Sequence, residues 1–145
     1  MIKSILFICV DQWRWDCFSF MNHKNALTPN IDNLAKKSTV FTSHFAGIVP
    51  CGPARTTMLT GLYPFIHRSV TNGAPLDKRF TNIAKEARKI GYDPKLYGYT
   101  DTSWDPRYLD PKDEKNFTYE SPMEGFDPVC HLPEGNPITW AKYLN

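Results

Sequence analysis

A chain of 145 residues is long enough to bury one core and too short for two full-sized domains. With 41% apolar and 22% charged residues it has the composition of a globular protein rather than a disordered or membrane chain. Seventeen Lys and Arg against fifteen Asp and Glu leave a net charge of +2, no surplus that points to nucleic acid or an anionic membrane.

In chain order, Ile5 to Val10 is a continuous apolar run of the kind that forms a strand covered on both faces, as in a parallel sheet. It ends in Asp11-Gln12-Trp13-Arg14 with no small-residue cleavage site, and it falls far short of the ~20 apolar residues of a spanning helix, so a cytoplasmic protein is expected. Thr28-Pro29 followed by Ile31, Leu34 and Ala35 supplies an N-cap, a proline at the first helical position and an apolar stripe. Thr39 to Thr42 reads as a second strand, and Pro53 to Leu59 as a short helix stopped by Gly61, with Cys51 at its N-terminus. Thr81 caps a third helix through Ile83, Ala87 and Ile90, closed by Gly91, and Lys95 to Tyr99 is another strand. Strands alternating with helices argue for an α/β fold. Beyond Tyr99, six prolines from Pro106 to Pro137 punctuate a stretch without a clear period. Residues 1–105 therefore read as part of an α/β domain and 106–145 as a Pro-rich irregular extension of it.

Four cysteines, Cys9, Cys17, Cys51 and Cys130, show neither CxxC pairs nor the density of a disulfide scaffold. Cys9 reads as packed in the first strand, and Cys17 and Cys130 take no role. His23, His44, His67 and His131 lack metal-ligand spacing and are left out of the site. Trp13, Trp15 and Phe18 line a substrate mouth or the core. The sharpest local feature is Val49-Pro50-Cys51-Gly52-Pro53-Ala54-Arg55-Thr56-Thr57-Met58-Leu59-Thr60-Gly61. It sets a sulfur at a helix N-terminus, which suits an anion, with Arg55 one turn on as a fork of donors for a tetrahedral oxyanion.

Cys51-x-Pro53-x-Arg55 followed by Thr60-Gly61 resembles the sulfatase signature, in which the cysteine is oxidised to formylglycine and its hydrate becomes the nucleophile. The resemblance continues through Asp11, Thr28-Pro29-Asn30-Ile31-Asp32 and Gly91-Tyr92, covering roughly residues 2–105 by motif order. It implies the N-terminal part of an alkaline-phosphatase-like α/β/α sandwich with a mostly parallel sheet. Within that superfamily, Asp11-Gln12-Trp13-Arg14 and Pro50-Cys51-Gly52-Pro53-Ala54-Arg55 resemble phosphonate monoester and phosphodiester hydrolases. Gly98-Tyr99-Thr100-Asp101 stands where arylsulfatases tend to carry Gly-Lys-Trp-His. The hydrolase pattern there resembles Gly-Tyr-x-Thr, which Tyr99 matches and from which Asp101 departs by adding a carboxylate near an anionic substrate.

The resemblance implies a metal-dependent hydrolase of phosphonate monoesters or phosphodiesters. Cys51, as formylglycine, and Arg55 would be catalytic. Asp11 and the modified Cys51 would hold one divalent cation, Mn²⁺ or Ca²⁺, and Gln12, Asn72, Tyr99 and Asp101 would contact the substrate. Without the resemblance, Asn72-Gly73 reads as a turn and Asp11 as the cap of one. The implied partners are a small anionic ester and a formylglycine-generating enzyme, with no nucleic acid and no membrane, and with room for a homo-oligomer. The family's chains are several times longer and complete the metal site with a later Asp-His or Asp-Asn pair that is missing here. The expectation is an incomplete N-terminal half that is inactive alone. A sulfate-ester hydrolase and a non-enzymatic fragment stay open as alternatives.

Overall fold

The computed structural model describes residues 4–117, 122–130 and 138–144, and the chain divides into two units, Met1–Phe45 and Ala46–Asn145. In the first, Asp32 is the organising side chain. It sits in the first turn of α1 (Pro29–Ala35), where its carboxylate accepts from Ser19 Oγ at 2.6 Å, Thr28 Oγ1 at 2.9 Å and the Phe20 N–H at 3.3 Å. The Ser19 hydroxyl is the main reason that the Asp32 carboxyl lies below the usual carboxylate range. The Ser19 N–H donates to Thr28 Oγ1 at 3.0 Å and the Thr28 N–H to Ser19 Oγ at 2.9 Å, which ties the 3₁₀ turn Ser19–Met21 to the start of α1. Thr28 occupies the N-cap with Pro29 in the first turn, but its hydroxyl serves Asp32 instead of a backbone N–H.

The two strands expected in this unit do not form. Residues 4–10 and 39–42 enter no ladder, and Leu6 and Ile8 are 85% and 71% exposed. Apolar and β-branched residues bias a chain toward extended backbone, but a strand exists only where a neighbour's N–H and C=O groups complete it. No such neighbour stands among the described residues. Cys9, expected to be packed there, is exposed.

The second unit begins with α2 (Cys51–Thr60), which ends at Gly61 in left-handed backbone, φ +69°, with the Gly61 N–H returned to the Thr57 carbonyl at 2.9 Å. The helix starts two residues before the expected Pro53, because a proline in the first turn has no N–H to leave unpaired. There follow α3 (Pro64–His67), α4 (Ile83–Lys89), β1 (Lys95–Tyr97), β2 (Asp127–Cys130) and α5 (Ile138–Leu144). β1 and β2 pair in parallel, Lys95 opposite Asp127 and Leu96 opposite Pro128, with an irregularity before Tyr97 meets Cys130. The stretch beyond residue 105, which shows no sequence period, thus carries the second strand. Pro128 within a four-residue strand hides it, since proline is tolerated only where its missing N–H is not needed. His131 lies outside the described residues. Among the described residues no helix is long and apolar enough to cross a membrane.

Asn82, not Thr81, caps α4. Its Oδ1 accepts from the N–H groups of Ala84 and Lys85, both at 3.0 Å, while Nδ2 donates to the Glu124 carbonyl at 2.8 Å. The Thr81 hydroxyl is spent on Glu86. Gly125, at φ +107°, lets the chain pass against α4, where a Cβ would come within 3.1 Å of the Lys85 backbone nitrogen. Leu59, Leu76 and Met123 form the core, with Phe80 and Phe126 packed against it.

Two polar braces hold this unit. Buried Asp105 accepts from the N–H groups of Lys78 (3.2 Å) and Arg107 (3.1 Å) and pairs with the Arg107 guanidinium at 2.5 Å, which keeps its carboxyl well below the usual range. His67, 4% exposed, links α3 to α2. The Ser69 N–H donates to His67 Nδ1 at 3.0 Å, so Nε2 carries the proton, gives it to Thr57 Oγ1 at 2.9 Å, and the Thr57 hydroxyl donates to the Pro53 carbonyl at 3.0 Å. Burial pushes the imidazole below its ordinary 6.5, and a proton on Nδ1 would set two donors against each other.

Acid therefore weakens both braces. The His67 contribution is complete above 6.5 and is lost as pH falls through the depressed folded value; that of Asp105 is complete above 3.8 and is lost below it. The denaturant midpoint of the full-length gene product is expected to fall between about pH 7 and about pH 5, and His67→Gln to flatten that fall. An unchanged slope in the variant would contradict the brace.

Candidate active site

The start of α2 is held by one amide. Asn72 Oδ1 accepts the Gly52 N–H at 2.9 Å and Asn72 Nδ2 donates to Cys51 Sγ at 3.2 Å, so a single planar group fixes the helix backbone and the side chain at 51 together. The Thr56 hydroxyl donates to the Gly52 carbonyl at 2.9 Å and the Thr60 hydroxyl to the Thr56 carbonyl at 2.6 Å, stiffening the helix behind Cys51. The helix start is not a row of open N–H groups: that of Gly52 goes to Asn72, Pro53 has none, and that of Ala54 reaches the Pro50 carbonyl at 3.1 Å. What the ten-residue helix presents at Cys51 is chiefly the positive end of its dipole.

Arg55, 8% exposed, ties the helix to the segment after β1. Its NH1 donates to the Tyr99 carbonyl at 3.2 Å and its guanidinium lies over the Tyr99 ring, 4.5 Å from the centroid. Thr100 and Thr102 are buried beside it; their hydroxyls meet at 3.0 Å, and Thr100 Oγ1 accepts the Met123 N–H at 2.7 Å. Asp101, between them, is buried with φ +61°, and its carbonyl accepts the Gly73 N–H at 3.3 Å.

Cys51, Arg55, Asn72, Tyr99 and Asp101 are thus joined through α2, the 72–73 turn and the 99–102 segment. Asp11 and Gln12 belong to the other unit, in an exposed turn where Gln12 has φ +56°. Among the described residues no group of three or more His, Cys, Asp or Glu side chains could hold a metal ion. Asp11 and position 51 fall short of the six or more oxygen ligands that Ca²⁺ takes, so these residues alone do not make a cation cage and no step is routed through one.

Gly52 and His67 escaped the sequence reasoning. Gly52 carried a signal, since a glycine in a helix costs roughly 0.5–1 kcal/mol against alanine and needs a reason. The reason is close approach: a Cβ there would stand 2.7 Å from the Asp101 carbonyl oxygen and 2.9 Å from Asn72 Cα, both backbone atoms. His67 carried none, because its role depends on where the chain folds back on Thr57.

Gly52→Ala is therefore expected to destabilise the full-length gene product by about 1–3 kcal/mol, as overpacking against backbone does. Denaturant unfolding of the variant beside the parent measures this, and an unaltered midpoint would contradict the contact.

The sulfatase family model matches residues 3–143. PehA of Trinickia caryophylli, a multifunctional alkaline phosphatase superfamily protein, is 43% identical over 88% of this chain and 26% of its own length. An ulvan-active sulfatase of Formosa agariphila is 30% identical over 86% of this chain and 23% of its own. Among solved structures, the phosphonate monoester hydrolase of Agrobacterium radiobacter matches with 49% identity and a TM-score of 0.84 over 92% of this chain and 27% of its own. That of Silicibacter pomeroyi matches with 43% identity and a TM-score of 0.88 over 97% and 28%. The chain spans about a quarter of the length of the curated relatives it matches. The α/β architecture is the alkaline-phosphatase-like one of these neighbours. With the signature intact at the head of α2 and the match running almost end to end, the chain belongs to the sulfatase family, in the alkaline phosphatase superfamily.

Proposed function

We propose that the protein hydrolyses phosphonate monoesters or phosphodiesters with a nucleophile made from Cys51. The observation that carries this is the grip of Asn72 on Cys51 Sγ at the positive end of α2. A nucleophile that must attack a tetrahedral anion gains from being fixed in one rotamer and from a field that attracts the anion. The choice of phosphorus over sulfur esters is supported by Asp11-Gln12, by Tyr99 in place of a lysine, and by two phosphonate monoester hydrolases at 49% and 43% identity.

As formylglycine, position 51 would supply an oxygen nucleophile where the thiol stands. The chain's own residues do the rest: Asn72 Nδ2 donates to the group at 51 and orients it. The Arg55 guanidinium adds a fixed positive charge one turn on, held in place by the Tyr99 carbonyl and ring. A divalent cation, Mn²⁺ or Ca²⁺, belongs to the proposal with position 51 as one ligand, and it needs several oxygen ligands beyond that one. The substrate is a small anionic ester, and maturation requires a formylglycine-generating enzyme.

The test is the full-length gene product, co-expressed with such an enzyme, its position-51 peptide weighed and its activity measured on para-nitrophenyl phenylphosphonate and para-nitrophenyl sulfate. The expectation is conversion at position 51, faster cleavage of the phosphonate, and loss of turnover in Cys51→Ala. Faster cleavage of the sulfate would overturn the substrate assignment, and an active Cys51→Ala would overturn the nucleophile.

A further inference from the structure

His67 is 4% exposed, and its Nε2 donates to Thr57 Oγ1 at 2.9 Å. Thr57 in turn donates to the carbonyl of Pro53, two residues from Cys51, at 3.0 Å. Among the described residues the three threonine hydroxyls of α2 are served differently. That of Thr56 receives no proton, and that of Thr60 receives only the N–H of Leu62, a neighbour in sequence. Thr57 alone receives one from another helix, α3. A hydroxyl that accepts a hydrogen bond donates more strongly, so the imidazole tightens the bond to Pro53. That bond matters because proline has no N–H, which leaves its carbonyl as the one backbone group by which residue 53 can be held. Pro53 lies roughly 200° around the helix from position 51, and Thr57, four residues on, shares its face. Asn72 holds residues 51 and 52, so the Thr57 bond completes a grip on three consecutive residues at the head of α2, from two directions.

We propose that His67 is a positioning residue: through Thr57 it fixes the first turn of α2 and so the orientation of the side chain at position 51. The inference rests on the reading of position 51 as the nucleophile. His67 touches no substrate on this account and gives no proton to the reaction. Its effect is on how often the group at 51 stands in the attacking geometry. Losing that geometry lowers kcat, while Arg55 and the end of α2, which attract the anion, stay in place and hold KM.

The two halves of Thr57 separate positioning from packing. Its hydroxyl carries the link to His67, and its methyl lies beside Gly47, where a Cβ would stand 3.5 Å from Thr57 Cγ2. Thr57→Val keeps the methyl and loses the hydroxyl; Thr57→Ser does the reverse. The test measures kcat, KM and thermal midpoint of the matured full-length gene product on para-nitrophenyl phenylphosphonate. In Thr57→Val and His67→Leu, kcat is expected to fall about tenfold with KM within about twofold of the parent's, and Thr57→Ser is expected to keep the parent's kcat. An unchanged kcat in Thr57→Val, whatever its midpoint, overturns the inference and leaves His67 a brace alone. So does a loss in Thr57→Ser as large as that in Thr57→Val. If the parent turns over no ester, the hydrolase reading fails by itself, and the thiol of the unmatured protein decides the geometry. Iodoacetamide is then expected to label Cys51 several times faster in Thr57→Val than in the parent, with buried Cys130 protected in both, which separates local release from unfolding. Equal Cys51 rates overturn the inference.

Discussion

The carboxamide of Asn72 is the interaction on which the site depends. It joins the Gly52 N–H and Cys51 Sγ across twenty residues of chain, so the orientation of the side chain at position 51 is set by tertiary contact and not by the helix alone. That contact exists only because position 52 has no side chain: the Asn72 and Asp101 backbones occupy the space that a Cβ would need. Asn72, Gly52 and Asp101 therefore form one packed unit, and a change at any of them is felt at Cys51.

Behind this front, the far side of α2 is polar in an ordered way. Thr56, Thr57 and Thr60 each return a hydroxyl to the carbonyl four residues back, and Thr57 also receives the Nε2 proton of His67. Threonines of this kind weaken an isolated helix, so the helix is held by what surrounds it. Arg55 does the same on the other flank through Tyr99. Rigid support on both sides suits the proposed role of position 51, which asks for one rotamer while a tetrahedral anion is brought to it.

Local signals made much of this legible in the sequence. Thr28-Pro29 and Gly61 mark helix ends by backbone chemistry that needs no tertiary partner, and both stand where expected. The Cys51-x-Pro53-x-Arg55 spacing falls at the head of α2, where Asn72 and Tyr99 meet it. Elements that depend on partners distant in sequence were not legible: residues 4–10 have the composition of a strand but no ladder, while β2, interrupted by Pro128, has little strand composition and does pair. Asn72-Gly73 reads locally as a turn, and only family resemblance suggested a further role. His67 and Gly52 act through atoms ten or more residues away in sequence, a relation that no spacing rule encodes.

Asn72→Asp separates the two hydrogen bonds of that carboxamide. The replacement is nearly isosteric and keeps an oxygen to accept the Gly52 N–H, but it removes the N–H that holds the group at position 51. Turnover and thermal midpoint of the matured full-length variant are to be measured beside the parent. The account predicts a midpoint close to the parent's and a kcat reduced on the order of a hundredfold, the cost of a mispositioned nucleophile. A variant that retains the parent's kcat would contradict it.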